Sequence, residues 1–203
     1  MVAVIDRPGR HAATTPDDTI VGHLLGSTID DLPPTVRRFH ASTEDVVGTG
    51  TFSIEQARSR AGRLLSRAMG MPRAAGELPV ALSITRRVHA ADGPRVEHWK
   101  RTFDGEVIAS SQTTDGRHLV ERIGRVELRF AVVVESRRLR FRHVGTRLRI
   151  GRLGLRLARS VSPAIIASVG AVGESLDVSV RICAPLFGTL LHYAGRLEPS
   201  DGT

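Results

Sequence analysis

Trp99, Arg101 and Phe103 stand at i, i+2 and i+4 of an alternating stretch, a spacing that puts three side chains on one face of a strand. An indole and a guanidinium on a concave sheet would hold a small, largely apolar, anionic ligand through stacking and charge-assisted hydrogen bonds. The competing reading is an aromatic core stripe in which Arg101 pairs with Glu121, Glu174 or Glu97, since an unpaired buried charge is costly. Glu121 and Glu174 offer a second chemistry. Facing one cavity, they would act with a histidine as acid and base on a bound carbonyl or ester. Tyr193, next to His192 near the end of the chain, completes the candidate ligand-binding set.

A third constellation is basic. Arg138, Arg140 and Arg142 alternate with Leu139, Phe141 and His143, and Arg147 and Arg149 repeat the pattern around Leu148. A strand of this kind is basic on one face and mostly apolar on the other. It suits either the phosphates of an anionic membrane or nucleic acid, or simply the solvated side of a hairpin. The net charge of +8 is regional: Arg117 to Arg159 carries a net +10 and the remainder a net −2. Nucleic acid is the weaker partner for this charge, because aromatic residues are only 4% of the chain and no helix-turn-helix or zinc-finger pattern occurs.

Other chemistries lack their residues. The histidines are scattered with no i, i+4 pair, and Cys183 is the only cysteine, so neither a metal centre, a cofactor nor an intrachain disulfide is expected. There is no Gly-x-Ser-x-Gly elbow. Gly48-Thr-Gly50 lacks the third glycine of a dinucleotide loop. The opening residues do not read as a signal peptide, and no apolar run approaches the roughly 18–20 residues of a spanning helix. A soluble, cytoplasmic protein is the expectation.

These residues must be positioned by a sheet. Residues 1–30 carry scattered prolines and acids without periodicity and read as a flexible tail, with a single domain over residues 31–198. Val36 and Phe39 after Pro33-Pro34 suggest a short opening helix. Ser53-Ile-Glu-Gln56 matches a capping box, with apolar residues from Ile54 to Met69 at helical spacing behind it. Period-two runs then follow, punctuated by Asp92-Gly93, Asp104-Gly105 and Asp115-Gly116, which signal hairpins. Ser162-Pro163 suggests a short helix through Val169. The expected fold is α+β: a curved antiparallel meander of about eight strands, such as a partial barrel, with one main amphipathic helix on it.

Four segments carry a resemblance. Leu32-Pro-Pro-Thr-Val-Arg-Arg-Phe-His40, Trp99-Lys-Arg-Thr-Phe-Asp-Gly105, Leu119-Val-Glu-Arg-Ile-Gly124 and Ala184-Pro-Leu-Phe-Gly-Thr-Leu-Leu-His-Tyr-Ala-Gly195 resemble a bacterial domain family of unknown function. That family also occurs fused C-terminal to saccharopine-dehydrogenase-like oxidoreductases, which implies an oxidoreductase partner but supplies no catalytic residues. The functional expectation is a non-catalytic binding or accessory domain for a small-molecule or lipid ligand. The alternatives are the Glu121/Glu174 enzyme and peripheral attachment through Arg137 to Arg149.

Overall fold

Period-two alternation dominates the chain, and in the computed structural model it produces strands almost throughout. The structure describes residues 19–88, 95–151, 153–158 and 160–200. Among the described residues three short helices occur, α1 (Ile20–Leu25), α2 (Pro34–His40) and α3 (Arg60–Ala68), with a 3-10 turn over Gly26–Asp31. The eleven strands, in chain order, are β1 (Val46–Gln56), β2 (Gly76–Val88), β3 (Arg95–Phe103), β4 (Glu106–Thr114), β5 (Leu119–Ile123), β6 (Val126–Glu135), β7 (Arg138–Ile150), β8 (Leu153–Arg156), β9 (Ala164–Val172), β10 (Ser175–Ala184) and β11 (Gly188–Ser200). Of the stretch read as a tail, the described part from Thr19 on is folded. Thr19 Oγ1 accepts from the Gly22 N–H at 3.0 Å to cap α1, and Ile20 and Val21 are buried.

The strands form one antiparallel sheet in the order β6-β5-β4-β3-β2-β1-β11-β10-β9-β7, and β6 pairs with β7 to close it. The expected α+β meander with one main helix is therefore corrected to a closed ten-strand β-barrel with three short helices. β8 lies outside the ring, hydrogen-bonded to the second half of β7. Closure is what alternation alone does not reveal, because an open curved sheet and a barrel share the same in–out pattern. The signal that escaped notice was glycine. A Cβ on Gly50 would lie 1.8 Å from the Arg196 carbonyl oxygen, and one on Gly195 would lie 2.2 Å from that of Thr51. The missing side chains let β1 and β11, the first and last strands, cross closely enough to shut the ring.

Two expected helical segments are strands or loops instead. The capping-box residues Ser53 and Gln56 belong to β1, where Phe52 and Ile54 keep the two-residue period. The Gln56 amide donates to the Pro72 and Ala74 carbonyls at 2.6 and 3.1 Å. The true cap of α3 is Ser59, whose hydroxyl accepts from the Gly62 N–H at 3.0 Å. α3 also buries an unexpected side. Gly62 and Ser66 face inward and Leu64 is exposed, because a helix lying this close to Ala57 and Leu190 has room only for small residues. Ser162-Pro163 opens no helix; Ser162 Oγ donates to Thr146 Oγ1 at 2.9 Å and β9 begins directly after.

The Asp104-Gly105 turn is a tight two-residue hairpin with φ of +46° and +85°, the left-handed pair that this dipeptide favours. Asp115-Gly116 lies in the β4–β5 loop, its carboxylate accepting from the Arg117 and His118 N–H groups. Asp92-Gly93 lies outside the described residues.

The two ends of the barrel differ. At one lie the starts of β1, β3, β5 and β7 and the end of β11, where α1 and α2 pack Val21, Val36 and Phe39 into the same apolar core as Val46, Leu119, Leu139 and Leu197. At the other end lie the close of β1, β3, β5, β7 and β10, the start of β2, β4, β6, β9 and β11, and α3. Among the described residues, no helix there plugs the interior.

Candidate functional site

Inward-facing residues of the strands enclose a cavity of about 180 Å³, roughly ten times the volume one water requires. Its wall is mostly apolar. At the open end Met69, Met71, Ile108, Ile123, Val126 and Ile182 are only partly buried, so the mouth is an apolar throat.

Polar groups collect midway. Trp99, Arg101 and Phe103 do share the inner face of β3, as the spacing required. Cross-strand register brings Ser110 of β4 opposite Trp99, and β5 adds Glu121 beyond Gln112. Arg101 Nη1 donates to Ser110 Oγ and to Glu121 Oε1, both at 3.0 Å, and Ser110 Oγ donates to Glu121 Oε1 at 2.7 Å. The Arg101 guanidinium lies 5.0 Å from the Trp99 ring centre. Tyr193 meets Phe103 edge-on at 5.5 Å and Phe52 at 5.8 Å.

Electrostatically this cluster sums to zero. Burial works to lower the Arg101 pKa, but the Glu121 carboxylate, Tyr193 and the hydrogen bond to Glu121 outweigh it, so the guanidinium is held all the more firmly charged. Burial pushes the Tyr193 hydroxyl up, aided by Glu121 and opposed by Arg101. Of the three carboxylates considered as partners for Arg101, Glu121 is the one it meets. Glu97 instead accepts from Trp99 Nε1 at 3.0 Å and lies 3.5 Å from Arg86 Nε. Glu174 is exposed in the β9–β10 turn, so no Glu121–Glu174 acid–base pair is assembled.

His40, at the end of α2, is the cavity residue that sequence reasoning passed over. Its ring lies 5.4 Å from Trp99 and 5.7 Å from Phe141. Desolvation first, then the charges of Arg86 and Arg101, lower its pKa to about 3, so the imidazole is neutral; its buried Nδ1 has no hydrogen-bond partner. The helical spacing that set Val36 and Phe39 on one face gave no sign that His40 would lie against a strand sixty residues away. Ser110 and Gln112 were missed because inward polar residues break the apolar alternation that marks a strand.

The arginine strand carries a bulge. Arg129 pairs with Gly145 and Phe130 with His143, leaving Val144 unpaired and reversing the facing of the residues beyond it. Before the bulge, Arg138 bonds Ser168 and Asp177 at 2.8 Å each, Arg142 is held by Glu135, and Arg140 stands opposite Ser168 on the outer wall. After it, Arg147 lies 4.0 Å from Glu127 and Arg149 is exposed at the open end. Because the bulge shifts the alternation by one, all five point to the outside of the barrel, three of them held by carboxylates.

Among the described residues no helix is long and apolar enough to cross a membrane. The profile of a family described as a domain of unknown function, DUF4166, matches residues 32–197. No curated protein matches the chain. Among solved structures, that of Rv2717c from M. tuberculosis is similar over 84% of this chain and 99% of its own, at 13% identity and a TM-score of 0.43.

Proposed function

The chain belongs to this DUF4166 family of unknown function, and we propose that its barrel binds a small, largely apolar molecule bearing one polar group. The observation that carries the reading is the cavity itself: an apolar throat leading to the Arg101–Ser110–Glu121 cluster, with Trp99 on its wall. A site of this form gives affinity through apolar burial and orientation through a few polar groups. Because Glu121 already neutralises Arg101, a hydroxyl, amide or carbonyl matches the cluster better than a free anion, which would have to displace Glu121. Tyr193 and the neutral His40 line the same space.

Trp99 is the only tryptophan, so its fluorescence reports the cavity without a label. Native mass spectrometry of the purified protein, then solvent extraction, should release a stoichiometric apolar compound, and titration with it should change Trp99 emission. Ala167→Phe, which fills the cavity from β9, should abolish both signals. A clean apo mass together with flat emission across a panel of apolar alcohols, amides and carboxylic acids would overturn the proposal.

A further inference from the structure

The geometry points to the open end of the barrel as a docking surface for anionic lipid membranes. Three observations on one side of the molecule carry this.

Large apolar side chains are exposed around the mouth. Leu64 projects from α3, Leu153 and Leu155 lie on β8, Val161 precedes β9, and Leu186 and Phe187 form the β10–β11 turn. Leu186 is fully exposed and Leu153 is 79% exposed, far beyond what leaves a leucine comfortable in water. β8 extends the apolar throat: Leu155 pairs with Leu148, which pairs with Val126 of the cavity wall, and cross-strand partners share a face. The exposed β8 leucines therefore continue the cavity lining outward.

Arginines interleave with that rim. Arg60 and Arg67 flank Leu64 on α3, Arg125 occupies the β5–β6 turn, and Arg149 and Arg156 border Leu153 and Leu155. Among the described residues, none of these five has a carboxylate within ion-pair distance. On the far side of the molecule the arginines are consumed: Arg37 by Asp30, Arg86 by Glu97, Arg129 by Asp115, Arg138 by Asp177.

The occupant is set by this chemistry. A bilayer surface rich in anionic lipid takes leucine and phenylalanine into its interface and arginine among its phosphates. Nucleic acid would use the arginines but leave the leucines in water. A second copy in a two-fold dimer would set the basic rim against itself. The docking rests on the cavity reading only in its purpose, since a mouth seated on a bilayer lets an apolar ligand pass without crossing water.

The test is flotation of the full chain with phosphatidylcholine vesicles, with and without phosphatidylglycerol. Binding is expected only with phosphatidylglycerol, weakening as salt rises. Each of Arg125→Gln and Arg149→Gln should weaken it about fivefold, and Leu153→Ser with Leu155→Ser should weaken it at least as much. Arg117→Gln, in the β4–β5 loop at the opposite end, should change nothing. Trp99 titration in vesicle-free buffer separates the two proposals, because the rim variants should retain ligand affinity there. Absence of binding to phosphatidylglycerol vesicles, or indifference to the leucine substitutions, would overturn the docking and leave the cavity reading standing. Self-association abolished by those same substitutions would equally overturn it in favour of a second copy.

Discussion

The two ends of this barrel treat polar and apolar groups in opposite ways. At the helix-covered end polar groups are buried: Arg86 reaches the carbonyls of Phe39 and Glu44, Trp99 donates to Glu97, and His40, its Nδ1 unpartnered, is sealed between aromatic rings. Burial raises the Glu97 pKa there against the pull of Arg86. At the open end apolar side chains stand in water beside arginines that, among the described residues, have no carboxylate partner. A fold stable at both ends would have no route to its interior. Concentrating fixed, desolvated contacts at one end lets the other remain a mouth, which is how low-stability regions come to coincide with exchange.

That contrast breaks most sharply at Phe39. Its side chain is fully buried, and its ring would touch a Cβ placed on Gly48 at 3.0 Å, so it plugs the end of the barrel against β1. Phe39→Ala removes that plug and should cost about 3–5 kcal/mol. Leu153→Ala at the mouth should stay within about 0.5 kcal/mol of the parent. Urea unfolding monitored by Trp99 fluorescence measures both, and equal losses would mean that the mouth is as structural as the plug.

The next largest effect depends on pH. His40 has a folded pKa of about 3 against 6.5 for the ordinary imidazole, so the unfolded chain binds the extra proton between those values. Stability from this group is complete above pH 6.5 and falls as pH drops towards 3. By pH 4.5 the loss is about 2–3 kcal/mol. His40→Gln, which cannot titrate, should flatten that part of the stability–pH curve. An unchanged slope would show that His40 is hydrated or protonated in the folded state.

How much of this was legible in the chain depends on the distance over which each residue acts. Trp99, Arg101 and Phe103 were placed correctly because a two-residue period fixes a shared face within one strand. The Arg101–Glu121 contact was one of several pairings that the residue types allowed, and only the register of β3, β4 and β5 selects it. His40, the closure of β1 on β11 and the shared outward facing of the arginine run each depend on contacts far apart in sequence, or on a single unpaired residue at Val144. The helix misplaced onto Ser53–Gln56 shows the local limit. A capping-box pattern and a strand that continues through it use the same residue types, and tertiary pairing to β11 and β2 decided for the strand.

Glu121 lies between the two ends, and replacing it sharpens the comparison with the smallest structural change. In Glu121→Gln the amide keeps an acceptor for Arg101 Nη1 and Ser110 Oγ, so the bonds survive but lose their charge-assisted part. The expected cost in stability is about 1–2 kcal/mol, less than that of unplugging the closed end. What changes more is the cavity's charge, which goes from balanced to positive because Arg101 remains. A carboxylate ligand that gains little in the parent protein should then bind more tightly, while the matching alcohol binds as before. Trp99 titrations with such an acid–alcohol pair read the difference directly. A preference unmoved by the substitution would place the ligand's polar group away from Arg101, nearer to His40 and the sealed end.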